Sequence, residues 1–458
     1  MSLKHKTPEQ VIELFVYLCV FMKRVLIISY YWPPTGGSGV QRWVKFAKYL
    51  PSEGWQPVIY TPENPEQLAV DASLEAEVPA EAEVIRRRIL EPYGIYKKLL
   101  RRSGHSKEAV EVNPVNAQNK SFVQKVAMWV RGNFFRPDPR CLWITPSVKF
   151  LKKYLEEHPV DLIVSTGPPQ SMHLIGRRLS LETGIPWIAD FRDPWTRIFY
   201  FKHISMTRAT KRWHHKMEKK VLDEATAVVA VSPLVQQEFQ AMTLTPVELI
   251  TNGYDECDFP AGKCEEAAGG PGREFTITHT GLFAADGNPT VLWEVLAEKC
   301  RKDDNFRKAL KIKLIGKTDE QIAASLKEAG LSENVINMGY QPHAKAIEEQ
   351  RKASLLILPL RKEPEYKAVL PGKLFEYLAS WRPVLGIGQT DGAMSMILNS
   401  TKTGIVLGWD DKTSIGRYLD FCWQKHLEGT LTVDDADISQ FTRRNLTRRM
   451  AELFDKCI

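Results

Sequence analysis

The segment Pro371-Gly372-Lys373-Leu374-Phe375-Glu376-Tyr377-Leu378-Ala379 combines groups that suit an anion and a diol held side by side. Proline fits the first position of a helix, where its missing N–H is no loss. The backbone amides of Gly372, Lys373 and Leu374 then lie at the positive end of the helix dipole, with the Lys373 ammonium next to them. Glu376 follows about one turn later, where a carboxylate can accept hydrogen bonds from two neighbouring sugar hydroxyls. Phosphate beside a diol points to a nucleotide. The same residues also make an ordinary amphipathic helix start, with Leu374, Phe375 and Leu378 as its core stripe.

A second glycine-rich turn near the other end of the chain favours the first of these readings. Lys23 to Tyr30 (KRVLIISY) has the continuous apolar run of a buried parallel strand, and Trp32 to Gly39 (WPPTGGSG) opens an amphipathic helix. Gly36, Gly37 and Gly39 allow close backbone approach to a ligand and can take positive φ. Arg42 stands where the third glycine of a G-x-G-x-x-G fingerprint would be, so this loop alone is weak evidence for phosphate binding.

The elements that must position these groups alternate between strand and helix, which predicts an α/β protein of two Rossmann-like parallel-sheet domains. In the first, strands are expected at 25–30, 57–60, 161–165, 187–190, 227–231 and 248–250; in the second, at 275–280, 312–315, 335–338, 355–358, 384–387 and 404–406. The glycine-rich, aperiodic run Cys264–Gly272 is the best linker, which divides the chain into an extension (1–22), a first domain (23–265), a second domain (266–438) and a C-terminal helix (439–458). Ser103–Lys120 reads as a polar loop.

The 458 residues, 43% of them hydrophobic, suffice for two sizeable cores. Seven scattered cysteines without a C-x-x-C pair indicate reduced thiols in a cytoplasmic protein and no zinc site. The apolar stretch Val11–Phe21 is too short to span a bilayer, and Met22 suggests that residues before it stem from an upstream start codon. The net charge of +7 is uneven: residues 86–220 hold 27 Lys/Arg against 11 Asp/Glu, and the remainder is acidic on balance. Arg86-Arg87-Arg88, Lys97-Lys98, Arg101-Arg102, Lys152-Lys153, Arg177-Arg178 and Lys211-Arg212 are interleaved with Trp129, Phe134, Phe135, Phe199, Tyr200, Phe201 and Trp213. Basic and aromatic side chains together suit an anionic membrane surface or a lipid phosphate, and solvated helix faces are the plainer reading of any single pair. His214-His215 reads as a solvated face and Asp434–Asp437 as the approach to a helix.

Taken in order, these motifs resemble the GT4-type glycosyltransferases of GT-B fold over residues 23–458. Further support comes from Thr166-Gly167-Pro168-Pro169-Gln170-Ser171, Asp190-Phe191-Arg192-Asp193-Pro194-Trp195, Val231-Ser232-Pro233 and Asn252-Gly253-Tyr254-Asp255. The resemblance implies two lobes facing a cleft, with the C-terminal helix returning to the first lobe. Donor diphosphate would lie between the glycine loop and the amides around Gly372, with Gly281 nearby, ribose on Glu376 and the base near Gly339 and Tyr340. The fold does not depend on a bound metal, so no cofactor is expected.

Two departures stand out: Ala368 occupies the first position of the family's Glu-x7-Glu motif, and the Arg/Lys pair usual after the first strand of the second domain is missing from Leu282–Pro289. Lys373 is then the first candidate to meet the diphosphate charge, with Arg361, Lys362 and Lys367 behind it. In the first domain Asp193, or else Asp190, is expected to orient or deprotonate the acceptor hydroxyl, and Arg192 to neutralise acceptor phosphate or to lock the loop. An Asp–Arg pair that merely braces the turn is the structural alternative.

The expected function is a retaining transfer of sugar from a nucleotide diphosphate sugar to a lipid-linked or cell-surface glycan acceptor, with the protein peripheral at the inner face of the cell membrane. A nucleotide-sugar 2-epimerase of the same fold is less compatible with Ala368 and the uncharged loop. A non-catalytic lipid- or nucleic-acid-binding module is the remaining alternative, with nucleic acid the less favoured partner.

Overall fold

The structure is a computed structural model, and it describes residues 22–66, 71–91, 122–259, 270, 272–433 and 436–458. The extension before Met22, Lys97-Lys98, Arg101-Arg102, the Ser103–Lys120 loop, Asp434-Asp435 and most of the Cys264–Gly272 linker lie outside the described residues. The chain divides into two units, one of Met1–Val231, Val235–Ile250 and Thr447–Ile458, the other of Ser232–Leu234 and Thr251–Leu446.

The first unit holds seven strands: β1 (Lys23–Ile28), β2 (Trp55–Pro62), β3 (Glu83–Arg87), β4 (Leu162–Gly167), β5 (Trp187–Phe191), β6 (Ala227–Ala230) and β7 (Val247–Leu249). They pair in the order β3-β2-β1-β4-β5-β6-β7, every neighbour parallel. The interior of β1, Val25 to Ile28, is completely buried, as strands covered by helices on both faces must be. Strand order reverses between β1 and β4, so the glycine loop after β1 and the Thr166–Ser171 turn after β4 flank the crevice where open α/β sheets bind ligands. The last helix, Arg443–Cys457, ends on this sheet. Phe454 meets Trp55 edge-on at 5.1 Å, and Asp455 accepts from Lys23 Nζ at 2.7 Å.

The second unit holds β8 (Phe275–Thr280), β9 (Leu310–Ile315), β10 (Val335–Gly339), β11 (Leu355–Pro359), β12 (Val384–Ile387) and β13 (Gly404–Leu407). Their order is β10-β9-β8-β11-β12-β13, again parallel throughout, with the reversal between β8 and β11. One face packs Leu292, Trp293 and Leu296 onto β8 and β9. The other packs Leu374, Phe375 and Leu378 of the Gly372–Ala379 helix with Leu356, Leu358 and Val384. The core stripe of that helix thus holds its N-terminus at the carboxyl end of the sheet.

Part of the basic surplus in the first unit is structural. Arg86 and Arg87 lie in β3, where Arg86 donates to Pro33 O at 2.8 Å and Arg87 covers the Phe150 ring at 4.4 Å. Arg177 pairs with Glu224 at 2.6 Å, and Arg178 and Lys152 both reach Glu182 at 3.6 Å. No helix among the described residues is long and apolar enough to cross a membrane.

Candidate active site

In the second unit, Pro371 caps the Gly372–Ala379 helix with φ −61° and ψ 140°. Leu374 is fully buried and its amide donates to Pro371 O at 3.0 Å, so this amide is spent inside the helix start. The amides of Gly372 and Lys373 have no such partner among the described residues, and a Cβ placed on Gly372 would meet nothing within 4 Å. Two N–H groups at the positive end of a helix dipole are therefore left without an acceptor among the described residues.

Lys373 Nζ lies 3.0 Å from His279 Nε2 and donates to Leu282 O at 3.3 Å. Burial lowers the Lys373 pKa to about 8, against the opposing pull of Glu376. His279 ends the apolar run of β8; it is buried against Phe283, with ring centroids 4.1 Å apart. Burial and the neighbouring lysine hold its pKa well below the usual value, so the neutral ring accepts the lysine proton through Nε2. Lys373 is thus aimed by a histidine that sequence patterning did not single out, although Thr-His-Thr at a strand end is an unusual stop for an apolar run.

Glu376 is held from the His343–Lys352 helix. His343 Nε2 lies 3.1 Å from one carboxylate oxygen, and Gln350 Nε2 donates to the other at 3.3 Å. Gln350, fully buried, also donates to Thr280 Oγ1 at 3.1 Å and accepts from Ser380 Oγ at 3.1 Å. The glutamate is therefore oriented before any ligand arrives, which lowers the ordering penalty of binding.

Glycines line the carboxyl ends of three strands. Gly281, Gly316 and Gly339 have φ of +86°, +114° and +61°. A Cβ on Gly316 would sit 2.5 Å from Gly281 O, whereas one on Gly281 would only touch the Lys373 side chain at 3.5 Å. Glycine is needed here for the positive φ and so that the backbone at Gly316 can come close to that at Gly281. Tyr340, 88% exposed, follows Gly339 and offers a free ring face.

In the first unit the glycine loop is tied to the turn after β5. Gly37 has φ +108° and precedes the Ser38–Tyr49 helix, beside Gly36. Arg192 donates through one nitrogen to Gly39 O at 2.7 Å and through another to Pro168 O. A Cβ on Gly39 would lie 2.4 Å from Arg192 Nη1. Arg192 therefore locks two loops together, and its guanidinium is not available to an acceptor phosphate.

Asp190 is sealed inside the unit. Its carboxylate accepts from Arg42 Nη2 at 2.8 Å, Trp43 Nε1 at 2.7 Å and Thr166 Oγ1 at 2.8 Å, with no exposed surface. Burial works to raise its pKa, but Arg42 and the hydrogen bonds outweigh it and hold the group below the usual range. Arg42, in the third-glycine position, is the partner that explains both residues. Asp190 thus belongs to the scaffold and is out of reach of any acceptor. Asp190→Ala should cost about 3–5 kcal/mol by stranding a buried arginine; a urea-denaturation midpoint equal to wild type would contradict this.

Asp193 differs. It has no hydrogen-bond or ion-pair partner among the described residues, and burial raises its pKa to about 6 despite Arg192 beside it. A partly buried, unpaired carboxylate that titrates near neutrality suits general-base work.

Residues 115–256 match the family model of Glycosyltransferase Family 4. Sucrose-phosphate synthase from Thermosynechococcus elongatus superimposes with a TM-score of 0.61 at 14% identity, covering 95% of this chain and 98% of that one. A glycosyltransferase from Rickettsia africae gives the same TM-score, 0.61, identity, 14%, and coverage, 95% and 98%. The Anabaena protein HepE, solved with UDP-glucose, follows at 0.58 and 14%, with 95% and 100% covered. The chain has the GT-B fold, and its residues 115–256 carry the match to Glycosyltransferase Family 4. No curated protein matches the sequence.

In the second unit the reserve cations are already committed. Arg361 pairs with Asp286 at 2.8 Å, Lys362 with Asp410 at 3.5 Å, and Lys367 with Asp391. Lys373 alone of the four candidates has a neutral partner. His214 is not on a solvated face: it is 4% exposed, accepts from Trp195 Nε1 at 3.0 Å, and has a pKa lowered to about 4 by burial and the nearby His215 and Arg136. The helical period of the Arg208–Glu224 segment turns His214 inward and His215 outward, a distinction hidden in a run so rich in charge.

Proposed function

We propose that this protein is a glycosyltransferase that takes its sugar from a nucleoside diphosphate sugar and transfers it, with retention at the anomeric carbon, to a lipid-linked or cell-surface glycan. The observation that carries this reading is the trio at the Gly372–Ala379 helix: two free amides, a lysine aimed by His279, and a glutamate oriented by Gln350 and His343. Amides and ammonium meet the diphosphate, and the carboxylate accepts from the ribose hydroxyls. Tyr340 offers its face to the base.

When the bond from the anomeric carbon to the diphosphate oxygen breaks, its electron pair leaves with the diphosphate, and Lys373 with the helix amides stabilises that charge. The acceptor hydroxyl bonds to the same carbon and gives up its proton, a role we assign to the ionised Asp193 carboxylate. Neither role calls for a bound metal. The structures of HepE with UDP-glucose and of the Staphylococcus aureus protein TarM with UDP are consistent with such a donor. Incubation with UDP-, GDP-, dTDP- and ADP-sugars, followed by NMR of the anomeric proton in the product, tests both the transfer and the retention. An inverted product would overturn the stereochemical part, and a 2-epimerised free nucleotide sugar would favour the epimerase.

The acceptor side also suits a membrane surface. The Phe122–Phe134 helix exposes Val126 (44%), Trp129 (44%), Val130 (37%) and Phe134 (67%) in one of the basic stretches of the chain. Trp129→Glu with Phe134→Glu should abolish co-flotation with phosphatidylglycerol vesicles while leaving nucleotide binding intact. Unchanged flotation of the double variant would remove the membrane from the account.

A further inference from the structure

The first lobe contains a cavity of about 380 Å³ walled by Tyr31, Phe135, Trp195, Tyr200 and Phe201. This lies at the lower end of the range for small-molecule pockets, which are mostly apolar with a few polar groups that fix orientation. Two such groups line it without partners. The carboxamide of Gln170, 8% exposed, makes no hydrogen bond among the described residues; its oxygen is sealed beside Gly167 and His173, which leaves its N–H groups for the cavity. His214 accepts from Trp195 through Nδ1, so its proton sits on Nε2, and this N–H has no partner among the described residues. Both are more than nine-tenths buried.

A buried N–H left unpaired is costly, so a ligand whose hydroxyl oxygens accept from the Gln170 amide and from His214 Nε2–H would be favoured here. The charged groups of the wall are otherwise engaged. Arg140 pairs with Glu91 at 3.0 Å and donates to Tyr30 at 3.1 Å, and Asp138 caps the Ser171–Thr183 helix through Ser171 N at 2.8 Å. The cavity therefore asks for an uncharged ligand with one flat apolar side and hydroxyls at its rim. A plain acyl chain would leave Gln170 and His214 unpaired.

We propose that this cavity seats a sugar ring of the acceptor, its apolar face against Trp195 and Tyr200 and its hydroxyls accepting from the Gln170 amide N–H and the His214 Nε2–H. The assignment rests on the glycosyl-transfer reading and gives it a specific acceptor subsite. Glu218 fixes the wall by accepting from the amides of Trp195 and Thr196 at 3.1 and 3.0 Å. Asp193 is near enough that its charge, after burial, helps to raise the Tyr200 pKa, so the candidate base borders this wall.

The test is saturation-transfer NMR on the full chain with the methyl glycosides of glucose, galactose, mannose and N-acetylglucosamine. Gln170→Leu and His214→Phe are the variants, and UDP, GDP, dTDP and ADP titrations run in parallel. At least one glycoside should bind wild type and bind at least tenfold more weakly to each variant, while nucleotide affinity stays within twofold. Since the His214 change removes a partner from Trp195, thermal melts are recorded, and Gln170→Leu decides if His214→Phe melts early. Binding of no glycoside, equal binding by Gln170→Leu, or preference for decanoate over every glycoside would overturn the proposal. Loss of nucleotide binding in wild type with glycoside binding retained would instead sink the donor reading and leave this subsite standing.

Discussion

Lys373→Ala is expected to lower kcat/KM for the nucleotide sugar by about 10²–10³-fold, the effect of removing one preorganised charge at a leaving group. Arg361, Lys362 and Lys367 cannot take over without giving up their carboxylates. The pH dependence sharpens the test. With a pKa lowered to about 8, the ammonium is fully present below that value and is lost above it, so diphosphate affinity in the free enzyme falls as pH rises through about 8. Titrations between pH 7 and 9.5 should show this decline in wild type and a flat, weak response in Lys373→Met. A lysine variant with wild-type turnover would show that the charge is met elsewhere.

Asp193→Asn is expected to reduce turnover by about 10²–10⁴-fold, the range for loss of a general base, while nucleotide affinity is unchanged. Because burial raises the Asp193 pKa to about 6, the active carboxylate form grows as pH rises through that value, and the wild-type rate should climb from pH 5 to 7. The asparagine variant should lack this limb. Asp190→Asn offers the contrast: the two aspartates lie three residues apart, yet the first should act on stability and the second on rate. If Asp193→Asn retains both rate and limb, the acceptor proton leaves by another route.

Much of the scaffold was legible because parallel strands buried on both faces write themselves as unbroken apolar runs. All twelve strands expected from such runs are present, with ends shifted by no more than two residues. The one missed, β3, sits at a sheet edge, is only partly buried, and reads Glu-Val-Ile-Arg-Arg, without a run long enough to detect. The residues proposed to face the nucleotide were visible as a cluster within one helix start. Their supporting residues were not: His279, Gln350 and His343 act across 26 to 94 positions of sequence, and only folding brings them to Lys373 and Glu376. Arg42 illustrates the same limit, since its departure from a glycine motif gains meaning only beside Asp190, 148 residues away.

The most direct test of the account is calorimetric titration of the purified protein with UDP, GDP, dTDP and ADP, repeated on Glu376→Ala and Lys373→Ala. One nucleotide should bind wild type with measurable heat, and each substitution should weaken it at least tenfold. Absence of heat with every nucleotide, or affinities in both variants equal to wild type, would contradict the claim that this helix start holds the donor.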